Sequence, residues 1–154
     1  MLLSDHHVGS HTGDVARHRN LMAAAQAVGV RRVVAQSIAF IYAEGPRPHR
    51  EGDPLDASEA QGTTIAGVAR LEDAVLRTPG IDGIVLRYGR LYGPGTWFGR
   101  PGGLGPLTAD AATHAALLAV TRGAPRIYNI AEDDGEFSIE KARCELGFDP
   151  AFRL

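Results

Sequence analysis

Apolar positions along this chain follow two periods, one helical and one continuous, and the switches between them mark the elements. From Asp14 to Val28, the residues Val15, Leu21, Met22, Ala25 and Val28 form one broad apolar stripe at helical spacing. Asp14 stands where an N-cap belongs and Gly29 where a helix stops. Val33-Val34-Ala35 then reads as a buried strand; Leu2-Leu3 fits the tail of a strand but is too short to assign, and residues 6–13 read as a loop. Glu44 to Gln61 is polar and carries Pro46, Pro48 and Pro54, which predicts a long surface loop. A second helix is expected from Thr63 to Arg77, with Ile65, Val68, Ala69, Ala74, Val75 and Leu76 at its apolar positions and Pro79-Gly80 ending it. A strand follows from Gly83 to Arg87. Between Gly93 and Pro106 lie six glycines and three prolines, the composition of a flexible binding or covering loop. A third helix is expected over Ala109–Thr121, a short strand over Arg126–Ile130, and a last helix over Ser138–Leu146 with Ser138 as its N-cap and Gly147 as its stop. The strand–helix alternation predicts an α/β fold with a parallel sheet and right-handed crossovers.

At 154 residues the chain is expected to form a single domain, 1–154, large enough for a core. Sixteen basic and eighteen acidic residues are scattered along it, so no basic face for nucleic acid or an anionic membrane is expected. No apolar run nears the ~20 residues of a membrane span, and the N-terminal residues lack a signal-peptide pattern. Cys144 is the single cysteine, which rules out an internal disulfide and makes the cytoplasm the expected compartment; it reads as a small packing residue. His6, His7 and His11 lie among glycines with no carboxylate at ligand spacing, and no metal site is expected from them. Glu132, Asp133 and Asp134 predict an exposed turn.

The segment Gly83–Gly95, GIVLRYGRLYGPG, is a buried strand emptying into a glycine-punctuated turn, the place where open α/β sheets hold their ligands. It resembles the LRP-x-x-VYGPG motif of the extended short-chain dehydrogenase/reductase family, the NAD-dependent epimerases and dehydratases. The run Asn20–Ala25 is similar to that family's NLLEAA helix, Gln36–Tyr42 to its SS-x-x-VYG strand end, and SIEKARCELGFDP to its closing segment. The resemblance covers about Asp14 to Phe152. It implies a Rossmann-type doubly wound parallel sheet, NAD or NADP as cofactor, and a small carbonyl, alcohol or sugar-nucleotide substrate. It further implies that Asp14, Ser37, Tyr88, Gly89 and Leu91 lie toward the cofactor, and that Tyr42 and Trp97 lie on the substrate side.

The chain departs from the family in two places. The family's Gly-x-x-Gly-x-x-Gly turn sits between its first strand and first helix, where the backbone meets the pyrophosphate at a helix N-terminus. Nothing in this chain is expected to match it: Gly102-Gly103-Leu104-Gly105 is not preceded by a strand and does not open onto a helix at the right point. The family's first three strands are therefore expected to be missing, an N-terminally truncated copy whose exposed sheet edge predicts either marginal stability or association, with itself as a homo-oligomer or with another subunit. The family's catalysis resembles acid–base work by a Tyr with a lowered pKa, a Lys four residues on and a Ser or Thr hydroxyl. Alignment puts Thr64, Val68 and Ile38 in those three roles, none of which they fill. Two readings stand open: a NAD(P)-dependent oxidoreductase or epimerase-like protein, and a non-catalytic nucleotide- or partner-binding module. Each residue keeps a plain alternative. Asp14 serves equally as a helix cap, Ser37 as a strand-end hydrogen-bonding group, and Gly89 as a tight turn. Trp97 and Phe98 either cover a ligand or anchor their loop.

Overall fold

The structure, a computed structural model, describes residues 2–3, 11–58 and 62–154, with side chains from residue 17 onward. Its elements are β1 (Leu2–Leu3), α1 (His11–Ala27), β2 (Arg32–Ile38), α2 (Gly62–Arg77), β3 (Asp82–Tyr88), β4 (Arg90–Tyr92), β5 (Pro106–Thr108), α3 (Ala109–Thr121), β6 (Ile127–Ile130) and α4 (Glu140–Leu146). Four strands form one parallel sheet in the order β1-β2-β3-β6, so β3 lies inside with a neighbour on either side. Period-2 alternation sends their side chains into two separate cores. Val33, Ala35 and Val85 pack with Met22 and Ala25 of α1 and Val75 of α2. Val34, Ile84, Leu86, Tyr128 and Ile130 pack with the alanine face of α3 and with Ala142 and Leu146 of α4. Helices thus cover both faces, which is why β3 is buried along nearly its whole length. The expected Rossmann-type α/β architecture is the observed one. Among the described residues no helix is long and apolar enough to cross a membrane.

Several expectations need correction. α1 starts at His11, so Asp14 lies within the helix and is not its cap, and residues 11–13 are helical. Gly13 costs a helix interior only about 1 kcal/mol, and the tertiary packing of Met22 and Ala25 outweighs it. His6 and His7 lie outside the described residues, as do the side chains of His11 and Asp14. Val28 falls beyond the helix end and is exposed. Ser138 does not cap α4: its N–H donates to the His49 carbonyl (2.8 Å), which holds this stretch extended, and the helix begins two residues later. Cys144 is exposed, because Ala142 and Leu146 take the inward face of α4. The loop after β2 is not wholly at the surface either. Ile41 and His49 are buried, and bridges join Tyr42 to Leu55 and His49 to Phe137. Asp133 and Asp134 do form a solvent-facing turn, with Asp133 paired to Arg143 at 2.8 Å, but Glu132 is half-buried and bonded to Tyr92 and Arg153.

The glycine-rich stretch holds an unexpected element. β4 and β5 pair in parallel, Arg90 opposite Pro106 and Tyr92 opposite Thr108, so residues 93–105 leave and return to one small ladder. β5 runs straight into α3, where Thr108 accepts a hydrogen bond from the Ala111 N–H (3.2 Å) as N-cap.

Candidate functional site

Two constellations meet at the carboxyl ends of the central strands, one on each face of the sheet. On the α2 face, Ser37, Arg87 and Asn129 share one register row across β2, β3 and β6. Glu72 of α2 meets the row: Arg87 donates from Nε and Nη2 to its two carboxylate oxygens at 2.8 and 2.6 Å, and Ser37 Oγ donates to Oε1 at 2.7 Å. The Arg87 Nη1 donates onward to the Tyr42 hydroxyl (2.9 Å), which donates to Asn129 Oδ1 (2.6 Å). Asn129 in turn donates from Nδ2 to the His49 carbonyl and from its main chain to Glu51 Oε1. The network closes on Lys141 of α4, 3.0 Å from Glu51 Oε2.

Burial of Arg87 works against its charged form, but the hydrogen bonds and charge of Glu72 outweigh that and raise its pKa. With both partners almost fully buried, this is a bidentate pair that ties α2 to β3. Ser37 and Tyr42, expected at the ligand, are therefore members of this buried network. Sequence reading missed Glu72, although a signal was present: it lies on the same helical stripe as the buried Ile65 and Val75.

The opposite face opens into a cavity of about 500 Å³, within the range of small-molecule sites. Gln36 and Ile38 reach it from the end of β2, flanking the inward-turned Ser37 as period 2 requires. Tyr88, Gly89 and Leu91 border it from the β3–β4 turn, and Trp97 stands at its rim on the glycine-rich loop. Four of the residues singled out from sequence thus come together here. A larger groove of about 960 Å³ runs between α1 and α2, but its walls are outer helix surfaces and the turn at Thr78-Pro79. The smaller cavity lies where parallel sheets present strand ends to ligands, and on that ground it is the candidate site.

Gly89 is a glycine for packing. A Cβ there would stand 1.8 Å from the Gly105 carbonyl oxygen, which accepts the Arg90 N–H at 2.9 Å. Gly105 in turn has φ +55° and lies against the Phe137 ring. The spacing of Gly99, Gly102 and Gly105 does match the dinucleotide fingerprint, a match the sequence reading passed over. Its position does not match, for these residues connect β4 to β5. The helix beyond, α3, has Thr108 on its free N–H groups and Asp110 in its first turn, a poor seat for a diphosphate.

Acid–base groups are scarce in this part of the site. Ile38 brings an aliphatic side chain to the cavity, Thr64 is exposed, and Val68 is half-buried outside the cavity lining. The only lysine of the chain, Lys141, is paired with Glu51. All four tyrosines have phenols pushed above the ordinary 10.0. Burial leads for Tyr42, for Tyr88 and for Tyr128, which reaches about 12; for Tyr92 the hydrogen bond to Glu132 leads. Proton exchange at neutral pH needs a shift the other way.

These phenols also give a pH prediction. The unfolded chain ionises its tyrosines near pH 10 while the folded chain holds the protons. Their contribution to stability is full below pH 10 and is lost as pH rises from 10 through about 12, the Tyr128 value. Tyrosinate absorbance should therefore rise together with loss of helical circular dichroism, in one cooperative step. A smooth phenol titration near pH 10 with the helices intact would contradict this.

No family model matches the chain. It is 49% identical over 88 residues to a 3-diazoavenalumate denitrifying reductase from a Streptomyces species, a match that covers 54% of this chain and 29% of that protein. Among solved structures, MoeE5 in complex with UDP-glucuronic acid and NAD superposes with a TM-score of 0.70 at 17% identity, over 91% of this chain and 66% of that one. The UDP-glucuronic acid 4-epimerase of Bacillus cereus, in complex with NAD, gives 0.69 at 15% identity over 91% and 63%. TunA, a NAD-dependent NDP-hexosamine 5,6-dehydratase of tunicamycin biosynthesis, gives 0.66 at 19% identity over 85% and 55%. The chain spans two thirds or less of these structures and under a third of the curated relative. Its fold is that of the NAD-dependent epimerase/dehydratase structures, over part of their length.

Proposed function

We propose that this chain builds the nicotinamide-and-substrate end of a NAD(P)-dependent reductase- or epimerase-like site acting on a small molecule. The observation that carries this reading is the cavity where Tyr88, Gly89, Leu91 and Trp97 converge at the carboxyl ends of β2 and β3. Solved structures of the same fold hold NAD, and the Streptomyces relative is named a reductase. The described residues fit one end of the cofactor only. Ile38 and Leu91 offer apolar contact for a planar ring, and the Gln36 side chain offers an amide. Nothing among the described residues matches a diphosphate cradle. Bound NAD(P) would supply hydride transfer; the chain's own part is to shape the ring and substrate pocket and to limit water there.

Titration of the purified chain with reduced cofactors, followed by nicotinamide fluorescence, tests this. Binding is expected to be weak and saturable, equal for NADH and NADPH, and comparable for reduced nicotinamide mononucleotide, because only the ring end is held. Tight binding that favours one dinucleotide would mean that the chain also holds the adenosine end, and would overturn this assignment.

A second reading, a non-catalytic binding module, is favoured by the raised phenols and the paired Lys141. It predicts no turnover of any substrate by this chain. Saturable oxidation or reduction by the 154-residue protein would end that reading.

A further inference from the structure

The rim of the cavity carries large apolar side chains. Phe40, Trp97, Phe98 and Leu104 all line it, and all four are large apolar side chains left exposed; Trp97 is 90% exposed. Such a cluster at the rim of a cavity marks a binding surface rather than scattered surface residues. The side-chain polar groups are few. The Tyr88 hydroxyl points away and donates to the Ala112 carbonyl at 2.8 Å. The Thr96 hydroxyl is consumed within its own loop by Gly93 and Phe98. Gln36 and Arg90 are left. A sugar carries a hydroxyl on most of its carbons, and each one buried without a partner is costly.

Arg90 is held in a particular way. Its guanidinium lies 4.3 Å from the centroid of the Phe98 ring. On another side its Cδ and Nη1 run so close to the Gly103 main chain that a Cβ there would stand 2.5 and 2.9 Å away. The side chain is thus flanked by a ring and a backbone, and otherwise faces solvent. Its guanidinium N–H groups make no hydrogen bond or ion pair with any described residue. An unpaired guanidinium beside an aromatic wall matches a planar carboxylate attached to a flat apolar body.

We propose that this cavity takes an aromatic carboxylic acid, with its carboxylate on Arg90 and its ring against the Trp97–Phe40–Leu104 wall, in preference to a sugar nucleotide. The proposal rests on reading the cavity as the substrate site but does not need cofactor to bind.

Calorimetric titration of the full chain with cinnamate, its neutral analogue cinnamamide, and UDP-glucose provides the test. Cinnamate should bind saturably, and UDP-glucose more weakly. Cinnamamide should bind about twofold to fivefold more weakly than cinnamate, the worth of an ion pair at a solvent-exposed arginine. Arg90→Gln should reduce cinnamate affinity by a similar factor and leave cinnamamide unchanged, whereas Trp97→Ala should weaken both. Equal affinity for acid and amide, absence of saturable cinnamate binding, or tighter binding of UDP-glucose would each overturn the proposal. The comparison of acid with amide uses the unaltered protein, so it stands even if a variant misfolds. Cinnamate binding without any NADH binding would uphold this inference and sink the cofactor assignment; the converse result would do the reverse.

Discussion

Glu72→Ala should lower the unfolding free energy by about 3–5 kcal/mol, the cost of leaving a buried charge without its partner. The loss falls on Arg87, whose guanidinium would keep its hydrogen bonds to the Tyr42 hydroxyl and the Glu51 carbonyl but lose the carboxylate that offsets its burial. Ser37 would lose its acceptor at the same time. The midpoint of urea unfolding measures this directly. Replacing both partners by apolar residues of similar size, Glu72→Leu with Arg87→Met, should recover much of the loss, because no charge is then stranded. A fall of less than about 1 kcal/mol in the single variant would show the pair to behave as a solvated surface bridge.

Gly89→Ala should cost about 3 kcal/mol, at the upper end of what overpacking does. The added methyl would meet the carbonyl oxygen and carbon of Gly105, at 1.8 and 2.9 Å, and a main chain cannot swing aside as a flexible side chain does. The Gly105 carbonyl also accepts the Arg90 N–H, and the Gly89 N–H is bonded to the Ile130 carbonyl, so the turn is fixed from both sides. Relief requires separating β5 from the β3–β4 turn, which would widen the cavity. Faster amide exchange at Arg90 and Glu132, whose N–H groups bond to Gly105 and Pro106, should accompany the loss of stability. An unchanged midpoint and unchanged exchange in the Gly89→Ala variant would refute the packing role of this glycine.

Much of the fold was legible because the elements carry strong local signals. The alanine-rich stretch Ala109–Thr121 forms a helix over the expected span, and the buried strand at Gly83–Arg87 was placed to within a residue at each end. The β4–β5 ladder was hidden because its strands are three residues each and sit among glycines and prolines, where turn chemistry dominates the pattern. The site was half legible. Tyr88, Gly89, Leu91 and Trp97 converge because the strand end and the loop after it are contiguous in sequence. The family resemblance places Ser37 and Tyr42 toward the ligand, whereas both side chains bond within the Glu72–Arg87–Asn129 network. Alternation puts Ser37 on the same face of β2 as Val33 and Ala35, but that α2 covers this face and that Glu72 meets Ser37 and Arg87 there is settled only by contacts across space. Arg90 went unremarked for a similar reason, since its setting depends on Phe98 and Gly103, residues eight and thirteen positions away.

The parallel pairing of β4 with β5 has an evolutionary consequence. Because residues 93–105 begin and end on one ladder, their two anchors stay fixed whatever lies between them. Lengthening a closed loop is cheap, about 0.6 kcal/mol for each doubling. The segment can therefore be exchanged as a cassette: Trp97, Phe98 and Leu104 can be replaced by other side chains, or the stretch extended, while the sheet and its Glu72–Arg87 pair stay as they are. Surface chemistry at this rim can then change far faster than the architecture, and diversification confined to exposed positions such as Trp97, Phe98 and Leu104, with Gly105 kept, is where new recognition should first emerge.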